Sequence, residues 1–377
     1  MIVRFEDVIT RITGNVDRYN TDLEYYVGGD QYDSSSLTIE RRGDLKKDVD
    51  ILGFKFHFPF ESGDVLLMAR NPHLRKAGQV FFDGLCSDAS YILRTKDEKR
   101  LRQNYIPIIL QSNHFWDWFE SHKTGGITFL LNWGMLKGYE FDLPNSDVQD
   151  SIMEKVWAAY KLKQSYQKLI IATDEMVKSR FLEQFSGDSI PRVPLADLCT
   201  LFIDGDWIEA KDQSDSGYRL VQTGNIGNCE YLDKEDHSRY VSDETFKRLN
   251  CTEIHSGDIL FSRLPDPIGR CCIIPRGFPK AITAVDCTIT RLKDNCLPEY
   301  LMVYTTTTMY SEQIKKCITG TTRQRISRGN LAKISVPLPG KQRQAAFVSL
   351  VHQADKSKFE LKQAIEKIDK VMRALLQ

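Results

Sequence analysis

The last stretch of the chain, residues 344–377, has apolar or small residues at a seven-residue period, with Lys and Glu between them. The positions of this pattern are Ala354, Leu361, Ile365, Ile368, Met372 and Leu375. Such a repeat is typical of a helix that packs along another helix. The pattern predicts one half of a coiled coil, with its seam at Leu361, Ile365, Ile368 and Met372.

An earlier stretch, residues 149–182, follows the same plan. Its apolar positions are Ile152, Val156, Leu162, Tyr166, Leu169 and Met176. We predict a second long helix here, with a seam through Leu162, Tyr166 and Leu169, which pairs with the first helix inside the chain. A dimerisation segment that joins two chains is the alternative interpretation of the closing helix.

The two helices belong to a repeat that runs through the whole sequence. Ser-Gly-Asp followed by Val-Leu at 62–66 recurs as Ser-Gly-Asp followed by Ile-Leu at 256–260. Tyr105 and Gln149 recur 195 residues later as Tyr300 and Gln344. A repeat of this kind constrains the whole architecture, so it is considered before single helices and strands are assigned. We predict the order domain, helix, domain, helix, with the parts at residues 1–145, 146–186, 187–340 and 341–377.

Within each half, short apolar runs alternate with longer unbroken segments. Runs bounded by Gly, Pro or Asp predict strands at 64–69, 79–82, 258–261 and 281–291. The unbroken segments at 105–121 and 298–318 predict helices. Each Ser-Gly-Asp is interpreted as a turn into a buried strand, with the glycine at positive φ. The globular parts are therefore predicted to be mixed α/β.

Composition limits the possible functions. The chain has 377 residues, 41% of them apolar and 27% charged, with a formal net charge of zero. A DNA-binding protein of this composition needs its basic residues gathered locally. Nine cysteines without regular spacing, and no apolar signal segment at the start, favour a reducing cytoplasm. No zinc-type spacing and no run of eighteen apolar residues occur, so neither a metal site nor a membrane span is predicted.

Marks of catalysis are absent from the sequence. We find no glycine-rich loop after a strand and no Asn- or Asp-Pro-Pro-aromatic motif, which a DNA methyltransferase would need. The Glu-x-Lys at 360–362 resembles a nuclease motif but lies inside the heptad helix. We predict no catalytic residue and no enzymatic activity for the chain alone.

A local basic segment lies in the second half. No acidic residue occurs between Glu312 and Asp355, whereas eight Lys and Arg residues do. Hydroxyl and cationic groups suit phosphates, and Arg or Gln suits base edges. The predicted DNA-contact residues of this segment are Thr319, Thr321, Thr322, Arg323, Gln324, Arg325 and Arg328. A solvated charged loop is the alternative.

The matching loop of the first half keeps Thr124-Gly125 but is apolar where the second half has arginines. Thr124 is retained as a candidate, and further candidates lie in the loop after each Ser-Gly-Asp strand. These are Arg70, His73, Arg75 and Lys76 in the first half and Arg263 and Arg270 in the second.

Taken together, the chain resembles the specificity (S) subunit of a type I restriction-modification system. The resemblance covers the whole length: an opening at 7–14, the Gly-Asp-Val/Ile-Leu strand, the Thr-Gly loop, a Leu-Pro exit and a long helix, all present twice. It implies an α+β fold, in which two α/β target-recognition domains in pseudo-repeat are separated by two long helices that form an antiparallel coiled coil.

The resemblance also implies a function. Each domain would read one half of a split, asymmetric sequence in double-stranded DNA, and the coil would offer sites to two modification (methyltransferase) subunits, with restriction subunits joining them. S-adenosylmethionine, ATP and Mg²⁺ would belong to those partners and not to this chain. Two other hypotheses stay open: a self-contained DNA-modifying enzyme with an unrecognised site, and a coiled-coil scaffold without a DNA role.

Overall fold

The computed structural model describes residues 1–71, 74–122, 130–321 and 323–376. The chain divides into two compact units. Unit 1 comprises Met1–Gln167 and Lys362–Gln377, and unit 2 comprises Lys168–Leu361. The division falls inside the two long helices, so each unit contains one globular part and one end of each helix.

The described part of unit 1 is built from short strands and helices that lead into a long helix. The strands are β1 Ile2–Arg4, β2 Ile9–Ile12, β3 Tyr25–Val27, β4 Gly43–Asp44, β5 Phe56–Phe60, β6 Val65–Met68, β7 Ala77–Gln79, β8 Gly84–Ser87, β9 Ser90–Thr95 and β10 Glu140–Asp142. The helices are α1 Phe5–Val8, α2 Leu45–Asp48, α3 Ile106–Gln111, α4 Asn113–His122, α5 Trp133–Leu136 and the long α6 Ser146–Phe185, which continues into unit 2.

Unit 2 repeats this plan. Its strands are β11 Arg192–Pro194, β12 Cys199–Asp204, β13 Tyr218–Val221, β14 Tyr240–Val241, β15 Ile259–Ser262, β16 Cys271–Ile273, β17 Ala281–Thr283, β18 Cys287–Leu292, β19 Ile318–Thr319, β20 Arg325–Ile326 and β21 Ser335–Pro337. Its helices are α7 Asp243–Leu249, α8 Pro298–Thr305, α9 Thr308–Cys317, α10 Arg328–Ala332 and the long α11 Lys341–Leu375, which continues into unit 1.

The two units share the strand order of one four-stranded sheet and further features of their sheets. Unit 1 contains an antiparallel sheet of order β2-β9-β6-β7, and unit 2 contains the matching order β12-β18-β15-β16. A second sheet in each unit includes one parallel pair, β3 with β8 and β13 with β17. The first and last strands of each globular part also pair, β1 with β10 and β11 with β21. Each half is therefore closed by its own ends just before its long helix begins.

The strands that follow the two Ser-Gly-Asp turns are buried on both faces. In β6, Val65 and Leu67 belong to one hydrophobic cluster, and Leu66 and Met68 belong to another. Successive side chains of a strand point to opposite faces, so a strand between two cores reads as a continuous apolar run. This arrangement explains why the turn and strand are the clearest part of the repeat.

Most of the predicted elements are present, with three differences. The predicted helices at 105–121 and 298–318 are each divided in two, at Ser112 and Thr307. Both residues have extended backbone, and each hydroxyl donates to a carbonyl of the turn before it, 2.7 Å from Ile109 O and 2.7 Å from Tyr304 O. Such local bonds compete with a continuous helix. The predicted strand at 281–291 is divided into two strands, β17 and β18. The strand predicted at 79–82 lies earlier in the chain, because β7 ends at Gln79.

The long helices pair in opposite directions in unit 2. Asp174 of α6 accepts a hydrogen bond from Lys358 Nζ at 2.6 Å. Further along α6, the rings of Phe181 and Phe347 are 5.5 Å apart. Residues later in α6 thus meet residues earlier in α11, which confirms the antiparallel pairing.

The seam of α6 lies one residue away from its predicted position. Leu162 and Leu169 are 44% and 51% exposed, and Tyr166 is half-buried. Val156 of the predicted pattern is buried, and so are Tyr160, Val177 and Phe181. Lys163 and Asp174 form ion pairs with residues of α11. The pattern of apolar residues did not predict this face, because the face includes charged groups whose partners lie on the other long helix. Lys163 of α6, for example, pairs with Asp369 of α11 at 2.6 Å.

On α11 the predicted positions do face inward. Met372 is buried, and Leu361, Ile365 and Ile368 are half-buried. In unit 1, Met372 belongs to the cluster that contains Val156 and Tyr160. Among the described residues, no helix is both long and apolar enough to cross a membrane.

Candidate nucleic-acid interface

The Ser-Gly-Asp turns are structural in both units. Gly63 and Gly257 have φ of +98° and +91°, as predicted for the turn. Asp64 and Asp258 are buried, and each accepts the backbone N–H three residues earlier at 2.8 Å. Their carboxylates also pair with an arginine on the neighbouring strand. These aspartates are therefore occupied inside the fold.

The basic segment of unit 2 forms an exposed hairpin, described at residues 318–321 and 323–326, followed by α10. Strands β19 and β20 pair antiparallel, and Gly320 closes the turn with φ of +95°. A side chain at Gly320 would approach Arg323 O to 2.6 Å, so glycine is required there. The exposed candidates are Thr319, Thr321, Arg323, Gln324, Arg325 and Arg328, whereas Thr322 lies outside the described residues.

The three arginines of this segment are not used by the fold. Ion pairs identified in residues 1–71, 74–122, 130–321 and 323–376 include none with Arg323, Arg325 or Arg328. Ser327 accepts the N–H of Asn330 and caps α10, which fixes where Arg328 leaves the hairpin. Exposed, unpaired guanidinium groups on an ordered hairpin are available to an anionic partner. Their contact with DNA stays a prediction.

Arg263 has a different role from the one predicted. Its side chain is 11% exposed and pairs with Asp204 at 3.3 Å. Its Nη2 donates to Val285 O at 2.7 Å, and its backbone O accepts the N–H of Ile326 at 3.1 Å. The side chain is thus buried among its own acceptors, and the residue fixes the base of the hairpin.

Arg270 is also engaged by the fold. Its guanidinium donates to four backbone carbonyls, those of Ile226, Leu264, Pro267 and Thr223, at 2.6–3.0 Å. Burial lowers the pKa of Arg270. These contacts hold the loop after β13 in place and leave the guanidinium with little capacity for a second partner.

Lys76 of unit 1 makes an equivalent contact to a loop carbonyl, with an ammonium group in place of the guanidinium. Its Nζ donates to Gly29 O at 2.7 Å, in the loop after β3. Strands β3 and β13 are equivalent, and Gly29 and Lys76 precede Thr223 and Arg270 by 194 residues each. A cation at the start of β7 or β16 thus secures the same loop in both halves.

The remaining candidates of the first half are divided. Arg70 is exposed and forms an isolated antiparallel bridge with Leu130. Arg75 is half-buried and donates to Asn113 Oδ1 at 3.0 Å. His73 and Thr124 lie outside the described residues. Arg70 is the candidate of this set whose side chain is exposed.

Comparison with known proteins decides the family. Residues 191–370 match the model of the type I restriction modification DNA specificity domain. This part of the chain therefore belongs to this family. The match supports a DNA target-recognition subunit of a type I restriction-modification system, a family that assembles with DNA and with methyltransferase and restriction subunits. No curated protein sequence matches the chain.

One solved structure has a similar fold. A structure described as the basis of complex assembly and conformational transition of the type I R-M system is 17% identical, covers 100% of this chain and 96% of its own, and has a TM-score of 0.60. The HsdS subunit from Thermoanaerobacter tengcongensis is 17% identical, with coverage of 100% and 95% and a TM-score of 0.42. The type I S subunit from M. genitalium is 12% identical, with coverage of 100% and 94% and a TM-score of 0.49.

The structure of this specificity subunit also contains a surface that the sequence analysis did not identify. Loop residues 222–225, Lys234 and residues 237–239 line an open, polar trough of about 490 Å³ in unit 2. Its cations Lys234 and Arg239 are five positions apart and are separated by Glu235 and Asp236, so no basic run marks the trough. The Thr-Gly-Asn at 223–225, directly after a buried strand, was the available signal for a functional loop.

Cysteine chemistry has little support in this specificity subunit. All nine cysteines are unpaired. Burial raises the pKa to about 12 for Cys86, Cys199, Cys272, Cys287 and Cys296. A thiol with such a pKa is protonated at neutral pH and is a poor nucleophile or metal ligand. In the described part of the chain, no cluster of His, Cys, Asp and Glu is placed to hold a metal ion.

Proposed function

We propose that this subunit recognises a bipartite DNA target whose two half-sites differ. The supporting observation is that the two halves share one internal framework but expose different side chains. The same internal contacts recur at a nearly constant offset, whereas the loop after β3 is Gly-Gly-Asp and the loop after β13 is Gln-Thr-Gly. Base recognition depends on such exposed groups. Unit 1 would read one half-site and unit 2 the other.

The chain would contribute recognition and no chemistry. Two modification subunits would bind along the coil, and restriction subunits would join them. S-adenosylmethionine, ATP and Mg²⁺ would be bound by those partners. The nine unpaired cysteines suit a reducing cytoplasm, where such a system meets its DNA.

Mapping of methylated bases in a host that carries the chain with its modification partner tests this proposal. We expect one split motif with two unlike halves. A single continuous motif would contradict it, as would methylation by the purified chain without partners. Absence of sequence-selective binding and of salt-dependent affinity would instead favour a scaffold without a DNA role.

We further propose that the length of the helix pair sets the spacer between the half-sites. The test inserts one seven-residue repeat into α6 between Lys163 and Asp174 and another into α11 between Lys358 and Asp369. Seven helical residues add about 10 Å, or roughly three base pairs at about 3.4 Å per pair. The spacer should lengthen by about that amount while both half-sites stay the same.

A matched control inserts the repeat into α11 alone. This variant loses the alignment of the two ion pairs, Lys163 with Asp369 and Asp174 with Lys358, and should lose methylation without giving a new spacer. An unchanged spacer in a stable variant with both insertions would contradict the proposal for the spacer and leave the proposal for the half-sites intact.

A further inference from the structure

The trough of unit 2 has the charge and chemistry of a DNA-contact site. Lys234, His237 and Arg239 line it and are exposed, and no carboxylate is part of its lining. The nearby Asp233 is paired with Arg219. Glu235 and Asp236 are exposed but lie outside the lining. The groups that face the trough therefore form a local cationic surface in a chain with no net charge.

The wall of the trough is ordered before any ligand binds. Asn225 Oδ1 accepts the N–H of Gln222 at 3.0 Å, and Asn225 Nδ2 donates to Leu232 O at 3.1 Å. From behind, Arg270 donates to Thr223 O and Ile226 O. A wall fixed in this way loses little conformational entropy on binding, which favours affinity and selectivity.

The trough and the basic hairpin flank one loop, residues 263–270. At one end of this loop, Arg270 binds the wall of the trough. At the other end, Arg263 binds the base of the hairpin through Ile326. The loop connects both surfaces within unit 2 through direct hydrogen bonds.

We propose that the trough and the hairpin together form the DNA-contact surface of unit 2. In this surface Lys234 and Arg239 bind backbone phosphates, and the side-chain amide of Gln222 contacts a base edge. A glutamine amide is suited to hydrogen bonds with adenine. Arg270 is a positioning residue that touches no DNA. The inference rests on the proposed half-site recognition by unit 2 and assigns residues to it.

The first experiment measures the affinity of the complex of the chain with its modification partner for a duplex that contains the mapped target, over a range of salt concentrations. Each phosphate contact contributes about 0.9 to the slope of log K against log salt. Lys234→Ala and Arg239→Ala should each reduce the slope by about one and weaken binding roughly fourfold at physiological salt. Slopes equal to that of the wild type for both variants would overturn the proposal.

Arg276→Ala is the matched control. Arg276 is exposed and lies beyond the end of β16 opposite to Arg270. Its replacement should leave both slope and affinity unchanged. A slope reduced equally by Arg276→Ala would show a diffuse charge effect and overturn the assignment to the trough.

Gln222→Ala tests base contact. We expect methylation mapping to show relaxed selectivity at one base pair of one half-site, by roughly 5- to 150-fold, with the salt slope unchanged. The other half-site serves as the internal control. Selectivity preserved at every position would overturn the role of Gln222.

Arg270→Met and Arg270→Lys separate positioning from direct contact. Arg270→Met should weaken target binding while the salt slope stays the same, and Arg270→Lys should restore part of the affinity because one carbonyl contact remains, as at Lys76. A slope reduced by about one in Arg270→Met would show a phosphate contact and overturn the positioning role. If the wild type binds no DNA target selectively although the variants fold, the proposed recognition function is wrong, and the trough proposal, which depends on it, is wrong as well.

Discussion

The two halves of this subunit share their buried polar contacts and differ in their exposed ones. Gln149 is buried at the start of α6, where its Oε1 accepts the N–H of Arg102 and its Nε2 donates to two carbonyls. Gln344 is buried at the start of α11 and makes the same three contacts, with Leu297 N, Asn295 O and Pro339 O. One amide thus fixes each long helix to its own globular part.

The cation behind the loops after β3 and β13 shows where the halves diverge. Lys76 binds a single carbonyl of a Gly-Gly-Asp loop, whereas Arg270 binds four carbonyls around a Gln-Thr-Gly loop. The scaffold contact is the same, but the loop of unit 2 is held more firmly and presents groups that can bond to DNA. The two halves therefore share an internal frame and differ in the exposed loops that it supports.

The largest effect is expected for the buried amides. Gln149→Leu and Gln344→Leu each leave one N–H and two carbonyls without partners, and every such group costs about 1–3 kcal/mol. We expect each variant to lower the free energy of unfolding by about 3 kcal/mol or more in denaturant titrations. Gln353→Leu, on the exposed face of α11, is the control and should have little effect. A large loss for only one of the two glutamines would break the equivalence of the halves.

An intermediate effect is expected at the Ser-Gly-Asp turns. Asp258 accepts from Arg291 Nε and Nη2 at 2.8 Å each, and Arg94 Nη2 donates to Asp64 at 3.0 Å. Replacement of either aspartate by Leu should cost about 2–3 kcal/mol, because a turn N–H and an arginine both lose their acceptor. Replacement by Asn keeps an acceptor for the N–H and should cost less in both units. Equal losses for Asn and Leu would show that the N–H contact adds nothing.

The smallest effect is expected for the ion pair Lys358 with Asp174 in the coil. Burial lowers the pKa of Lys358, but hydrogen bonds with Asp174 and Asp355 outweigh it, so the pKa lies above its ordinary value of 10.5. The pair therefore stabilises the fold fully below about pH 10.5 and loses this contribution as the pH rises through the higher folded-state pKa. Lys358→Met should cost about 1 kcal/mol at pH 7.

The measurement for this pair compares the unfolding free energies of the wild type and Lys358→Met between pH 7 and 11.5. The difference should narrow above pH 10.5 and in high salt. The matching variant in unit 1, Lys163→Met, removes the pair with Asp369 and should have a similar effect at pH 7. A difference that stays constant with pH would show that packing of the lysine stem, and not its charge, stabilises the coil.

Much of the fold was predicted from local pattern. The repeat, the glycines at positive φ and the heptads of α11 follow from residue types at fixed spacing, which depend on backbone geometry and side-chain period alone. The face of α6 could not be predicted in this way. Lys163 and Asp174 form ion pairs with residues of α11, and these partners lie about 200 positions away in sequence.

The candidate site was predicted less well than the fold. The hairpin arginines are exposed as expected, and the family assignment agrees with the repeated order of motifs. Three predicted contact residues have the sequence context of surface cations, but each donates hydrogen bonds to backbone carbonyls of the fold. They are Lys76, Arg263 and Arg270. The number of acceptors around a cation depends on which loops meet there, and no local pattern records it.

The sequence by itself determined that the chain repeats one plan of domain and long helix, because repeats and periodicity are properties of order along the chain. Only the tertiary structure decided which cations remain free. Burial and hydrogen-bond partners come from segments that are distant in sequence. They distinguish the exposed Arg323, Arg325 and Arg328 from the engaged Arg263 and Arg270, and they bring two loops together to form the trough.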